Sequence, residues 1–121
     1  METAKLQASA RRASNLLKAM SNEHRLLILC QLVGTERSVG ELVRLVGLSQ
    51  SALSQHLARL RRERMVKTRR DAQTIYYSIA SDEALALLKR LYEIYCTDVA
   101  HNGAAKDAHV WPDGHEIELR P

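Results

Sequence analysis

The chain contains no phenylalanine, and its aromatic residues are one tryptophan and four tyrosines. Leucine and isoleucine must therefore supply most of the core volume. It also lacks any apolar run of membrane-spanning length: stretches such as Leu26 to Cys30 fall far short of the ~20 residues a span requires. No positively charged start followed by an unbroken apolar segment marks the N-terminus. These absences predict a cytoplasmic protein with no membrane partner. Cysteine is scarce, with Cys30 and Cys96 as the pair. In a reducing compartment a permanent disulfide is not expected, so any bridge between them is conditional. There is no Cys-x-x-Cys, no glycine-rich phosphate loop, no βαβ pattern and no set of nucleophile, base and orienting group. An enzyme, a thiol oxidoreductase included, is therefore disfavoured, and no cofactor is implied. Internal repeats and low-complexity tracts are absent.

What is present fits one domain. The 121 residues are 45% hydrophobic and 26% charged, ordinary values for a globular protein. The net charge of +4 conceals a gradient, because residues 1–55 sum to +3, 56–70 to +6 and 71–121 to −5. The central block Arg59, Arg61, Arg62, Arg64, Lys67, Arg69 and Arg70 suits a polyanion, since each cation placed near a phosphate releases a condensed counterion. A solvated basic face is the plainer reading of the same charges.

Apolar residues Leu6, Ala10, Ala13, Leu16, Leu17 and Met20 recur at helical spacing and predict a first helix over Ala4 to Met20. Ser21 and Asn22 offer a cap for a second, nearly all-buried helix that ends at Gly34. Ser38 and Glu41 have capping-box spacing ahead of a short third helix ending at Gly47. Ser49 can cap a fourth, with Leu53, Leu57 and Leu60 on one side and Gln50, Ser51, Ser54, Gln55, Arg59 and Arg62 on the other. Two β-rich runs, Val66 to Arg70 and Gln73 to Ile79, predict a hairpin turning at Asp71 and Ala72. Ser81, Asp82 and Glu83 open a last helix striped by Leu85, Leu88, Leu91, Tyr92 and Tyr95.

The predicted order is α-α-α-α-β-β-α, a mainly α fold with a small β-hairpin: a winged helix-turn-helix. Residues 1–100 form the DNA-binding and dimerisation domain and residues 101–121 a polar tail. The fourth helix carries short donors and acceptors suited to base edges, with arginines beside them for phosphates. The candidate DNA-binding residues are Ser49, Gln50, Ser51, Ser54, Gln55, His56, Arg59, Arg62, Arg69 and Arg70. For His56, at the edge of the leucine stripe, local packing and a phosphate contact are equally open. Arg69 and Arg70 are placed at the hairpin tip, in reach of the DNA backbone or minor groove.

Leu48 to Leu57 (LSQSALSQHL) and Arg69 to Tyr77 (RRDAQTIYY) resemble the ArsR/SmtB family, over about residues 12 to 97. The resemblance implies a homodimeric winged-helix repressor, joined through its first and last helices and reading a two-fold symmetric double-stranded operator. Many members of the family sense metals. Glu41 to Leu45 lacks the Cys-x-Cys of the third-helix site, and Ser81 to Ala84 lacks the Asp-x-His of the last-helix site. No metal site is therefore expected, although a metal-responsive repressor using Cys30, Cys96 and the tail histidines His101, His109 and His115 remains the alternative. The segments around the two cysteines resemble the dithiol persulfide- and redox-sensing subgroup, the one that includes BigR, SqrR and HlyU. That likeness implies that Cys30 and Cys96 sense sulfane sulfur, persulfide or an oxidant, forming a disulfide or polysulfide bridge that releases DNA. Taken alone, each cysteine also fits an inert core thiol.

Overall fold

The computed structural model describes residues 2–99, with side chains through Tyr95. The expected tail lies outside the described residues. Five helices and three short strands follow in the order α1 (Thr3–Met20), α2 (Glu23–Gln31), β1 (Arg37–Ser38), α3 (Val39–Val46), α4 (Gln50–Arg62), β2 (Val66–Asp71), β3 (Thr74–Ile79) and α5 (Asp82–Val99). No helix among the described residues is long and apolar enough to cross a membrane.

The helix starts follow the capping chemistry. The Asn22 side chain accepts hydrogen bonds from the backbone N–H of His24 and Arg25, and Ser49 accepts from Ala52 N–H. Ser38 and Glu41 complete the capping box at α3, which ends at Gly47 with φ of 79°. That left-handed conformation is one glycine adopts without a Cβ clash, and it turns the chain directly into α4. The Ser81 hydroxyl caps α5 by accepting from Ala84 N–H at 3.0 Å.

One core holds the elements together. Ile28, Leu29 and Leu32 of the α2 region, Leu42 of α3, Leu53, Leu57 and Leu60 of α4, Val66 of β2 and Leu88 of α5 are all buried in it. Arg25, only 7% exposed, joins α1 to α2 by donating from Nε to the Ala19 carbonyl at 2.7 Å and from Nη2 to the Lys18 carbonyl at 3.2 Å. A guanidinium thus satisfies carbonyls that the end of α1 leaves orphaned. On the surface, Arg12 of α1 pairs with Glu83 of α5 at 3.0 Å.

Three expectations are corrected. The sheet has three strands in the order β1-β3-β2, because Arg37 and Ser38 pair antiparallel with Tyr77 and Tyr76. The hairpin turn falls at Ala72 and Gln73, since Asp71 still pairs with Thr74 and Ala72 takes the positive φ of 56°. The second helix is buried on one side rather than all round, with Leu27 exposed and Leu26 and Cys30 half-buried. The amphipathic α1 follows the reading, and its stripe is mostly uncovered within one protomer: Met20 is buried and Leu16 half-buried, but Leu6 and Leu17 are 54% and 53% exposed.

Leu53→Ala removes a fully buried side chain beneath α4. Loss of transfer energy and the cavity left behind are expected to lower stability by about 2–5 kcal/mol, measured by denaturant titration.

Candidate nucleic-acid interface

The leucine stripe fixes how α4 is rotated. At 3.6 residues per turn, burying Leu53, Leu57 and Leu60 points Ser51, Gln55, Ala58 and Arg62 directly away from the core, within about a sixth of the helix circumference. All four are exposed, as are Gln50 and Ser54. Ser49 is exposed too, and its oxygen is engaged as the cap, which leaves its hydroxyl hydrogen to donate outward.

The two flanks of this arc differ. On one side, Ser54, Ala58, Arg61 and Arg62 face Tyr77 of β3 across an open groove. Residues paired directly across strands share a sheet face. Buried Val66 pairs with Ile79, Thr68 with Tyr77 and Arg70 with Ile75, so these lie on the helix-facing side. Arg70 therefore extends the same side of the wing as Tyr77, toward its tip.

Lys67, Arg69 and Asp71 alternate onto the outer side with Ser78, Tyr76 and Thr74. Arg69 does not reach outward unengaged, as the sequence suggested. Its Nε donates to both carboxylate oxygens of Glu36 at 3.1 Å, Nη2 donates to Oε1, and the guanidinium carbon sits 4.8 Å from the Tyr76 ring centroid. Hydrogen bonding from Arg69 holds the Glu36 carboxyl below its ordinary pKa.

On the opposite flank, His56 and Arg59 are half-buried against the start of α2 rather than fully on the outer arc. The His56 ring lies 5.9 Å from that of His24, whose Nδ1 is buried without a hydrogen-bond partner. Burial foremost, then the charges of Arg25, His24 and Arg59, push the His56 pKa down from its ordinary value. Local packing is thus what surrounds this imidazole.

The groove also brings in two residues outside the expected set, Arg61, which the sequence reading placed only in the basic block, and Tyr77. Arg61 lies two helical turns beyond Ser54, and Tyr77 falls at the two-residue spacing that puts it on one sheet face with Ile75 and Ile79. The periodicities that place both residues were therefore present in the sequence. Cys30 lies half-buried on the last turn of α2, packed against the core. Cys96 falls within the span of α5, but its side chain lies outside the described residues. Among the described residues no three His, Cys, Asp or Glu side chains are grouped to hold a metal. The tail histidines lie outside those residues.

A short helix, a glycine turn, a second helix with an exposed polar arc and a basic hairpin beside it define a winged helix-turn-helix DNA-binding protein. Residues 22–68 match the family model described as bacterial regulatory protein, arsR family. The chain is 50% identical over 96 residues to the transcriptional activator HlyU of Vibrio cholerae, covering 79% of this chain and 89% of that one. The solved structure of reduced HlyU superimposes with a TM-score of 0.74 at 51% identity, over 76% of this chain and 97% of that one. The transcriptional repressor BigR from Xylella fastidiosa gives 0.73 at 40% identity, over 79% and 98%. A homodimeric winged helix-turn-helix domain, Mb0332 from Mycobacterium bovis, gives 0.69 at 25% identity, over 83% and 93%. The chain belongs to the ArsR family of winged-helix transcriptional regulators.

The depressed His56 pKa has a definite consequence for stability. Below the ordinary histidine pKa of about 6.5, the unfolded chain takes up a proton that folded His56 resists. Stability from this group is therefore present above that pH and falls as the pH drops below it. Denaturation midpoints at pH 7.5 and 5.5 are expected to differ less in His56→Gln than in the unaltered chain.

Proposed function

We propose that the chain is a homodimeric transcriptional repressor whose hold on a two-fold symmetric DNA site is lost when Cys30 and Cys96 are joined by a disulfide or polysulfide bridge. The observation that carries the DNA-reading half is the exposed arc of α4, polar at Ser51 and Gln55 and cationic at Arg62, opposite a buried leucine stripe. In this reading Gln50, Ser51, Ser54 and Gln55 meet base edges in the major groove. Ser49, Arg62 and Arg70 hold phosphates, and His56 and Arg59 flank the DNA on the α2 side.

Two copies are implied by the apolar side chains that one protomer leaves uncovered on its first and last helices. Leu6 and Leu17 of α1 are exposed, as are Ile94 and Tyr95 of α5, the last at 70%. In this reading a second chain covers them; the relative from Mycobacterium bovis is homodimeric. Residues 1–100 then serve both DNA binding and dimerisation. Paired recognition helices fit half-sites one helical turn apart, on the order of 34 Å.

The sulfur-sensing half draws on the half-buried position of Cys30 and on the likeness to HlyU and BigR. A thiolate attacks an organic persulfide, takes its outer sulfur and releases the thiol. The second thiolate then attacks the inner sulfur of the resulting hydropersulfide, forming the protein disulfide and expelling hydrosulfide. Joining α2 to α5 shifts each protomer toward a state whose recognition helices no longer match the operator spacing. A differential affinity of about 1–3 kcal/mol gives roughly 5- to 150-fold release.

Titration of a duplex selected by the full chain from a random-sequence pool tests both halves. Adding an organic persulfide is expected to weaken binding by the unaltered chain and to leave Cys30→Ser and Cys96→Ser unchanged. A response that persists in either variant would overturn the switch. Without inducer, Arg62→Ala is expected to weaken binding and to flatten the dependence of log K on log salt by about 0.9 for each phosphate it no longer neutralises.

A further inference from the structure

The wing is a hairpin with a two-residue turn, and a lone hairpin is marginally stable. The two residues of β1 cover one edge of β3, while β2 forms the outer edge of the sheet. Backbone pairing alone therefore leaves β2 tied to the rest of the protein only through β3. Arg69 adds a second tie. Starting from β2, its side chain crosses over Tyr76 of β3 and ends on Glu36, the residue before β1. One side chain thus links β2 and β3 to the turn that leads into β1.

Glu36 is itself well anchored. Its neighbour Arg37 donates from Nε to the Gln31 carbonyl at the end of α2, at 2.7 Å, and lies 3.8 Å from Glu41 of the α3 capping box. The clamp therefore runs from the wing to the C-terminus of α2 and the first turn of the helix-turn-helix. Arg69 meanwhile occupies the sheet face turned away from α4, with its Nε and Nη2 donors on a carboxylate and its plane against a ring. Arg70, one residue on, lies on the α4 side of the hairpin, facing away from Glu36.

We propose that Arg69 is a positioning residue that locks the wing to the α2–β1 turn through Glu36 and Tyr76, and that Arg70 is the wing cation that meets the phosphate backbone. This assignment rests on the DNA-binding reading above. It parts two adjacent arginines that the sequence presents as equivalent.

Exposed ion pairs contribute little to global stability. The effect of breaking this one is accordingly expected in DNA binding, with melting midpoints within a few degrees of the unaltered chain. The test uses the full chain and a duplex it has selected from a random pool. Arg70→Gln is expected to flatten the salt dependence of log K by about 0.9 per phosphate left without its cation. Arg69→Gln should weaken binding with that slope unchanged. Arg69→Glu alone should weaken it about tenfold or more, and combining Arg69→Glu with Glu36→Arg should restore affinity to within about threefold, because the reversed pair rebuilds the clamp. If Arg69 touched phosphate, a glutamate there would repel DNA whatever stood at residue 36. A double variant as weak as Arg69→Glu, or a flattened slope in Arg69→Gln, overturns the assignment. An unaltered chain that enriches no duplex overturns the DNA-binding reading itself.

Discussion

The face that α4 presents to solvent depends on how three leucines of that helix seat against α2 and α3. Leu53, Leu57 and Leu60 are sealed from solvent together with Ile28, Leu29 and Leu42. Their burial sets the rotation of α4 about its own axis, and that rotation alone decides which polar side chains face outward. The exposed polar arc is a by-product of packing: turn the helix by one residue and Gln55 gives way to His56, which here rests against His24. Gly47 and the Asn22, Ser38, Ser49 and Ser81 caps fix where the helices start and stop, leaving the leucines to fix the angle.

Much of this was legible in the chain because capping residues and hydrophobic periodicity are local signals. The five helices, the glycine turn and the two long strands all follow from them. What escaped reading was non-local or atypical. Arg37 and Ser38 carry no strand pattern and pair only because β3 arrives alongside them. The hairpin turn lies one residue later than expected because Ala72 accepts a left-handed conformation that alanine rarely adopts. Leu6 and Leu17 read only as one apolar face of the first helix, since periodicity reports that a face is apolar and not which molecule covers it. For the candidate site, the exposed serines and glutamines were legible from the helical arc. The engagement of Arg69 depends on Glu36, distant in sequence.

Charge is distributed with similar economy. Arg61 and Arg62 of α4 and Arg69 and Arg70 of the wing are all exposed, where water screens charge and a polyanion is able to approach them. Beneath them, Arg25 is used for structure, its guanidinium committed to the carbonyls at the end of α1. The same residue type thus serves two ends, a buried bracket and an exposed attractor, and burial separates the two. The His24 and His56 rings lie against each other nearby, and burial first, then the surrounding charges, make adding a proton to His56 unfavourable.

The outward arc of α4 contributes nothing to the core. Gln50, Ser51, Ser54 and Gln55 are all solvent-exposed, and their replacement by other small polar residues leaves the leucine stripe, the caps and the glycine turn intact. On the proposed base-reading role of this arc, lineages carrying this scaffold are therefore able to drift from one target sequence to another without passing through a poorly folded intermediate. Divergence of specificity is decoupled from the maintenance of the fold, which suits a scaffold to repeated duplication and reassignment.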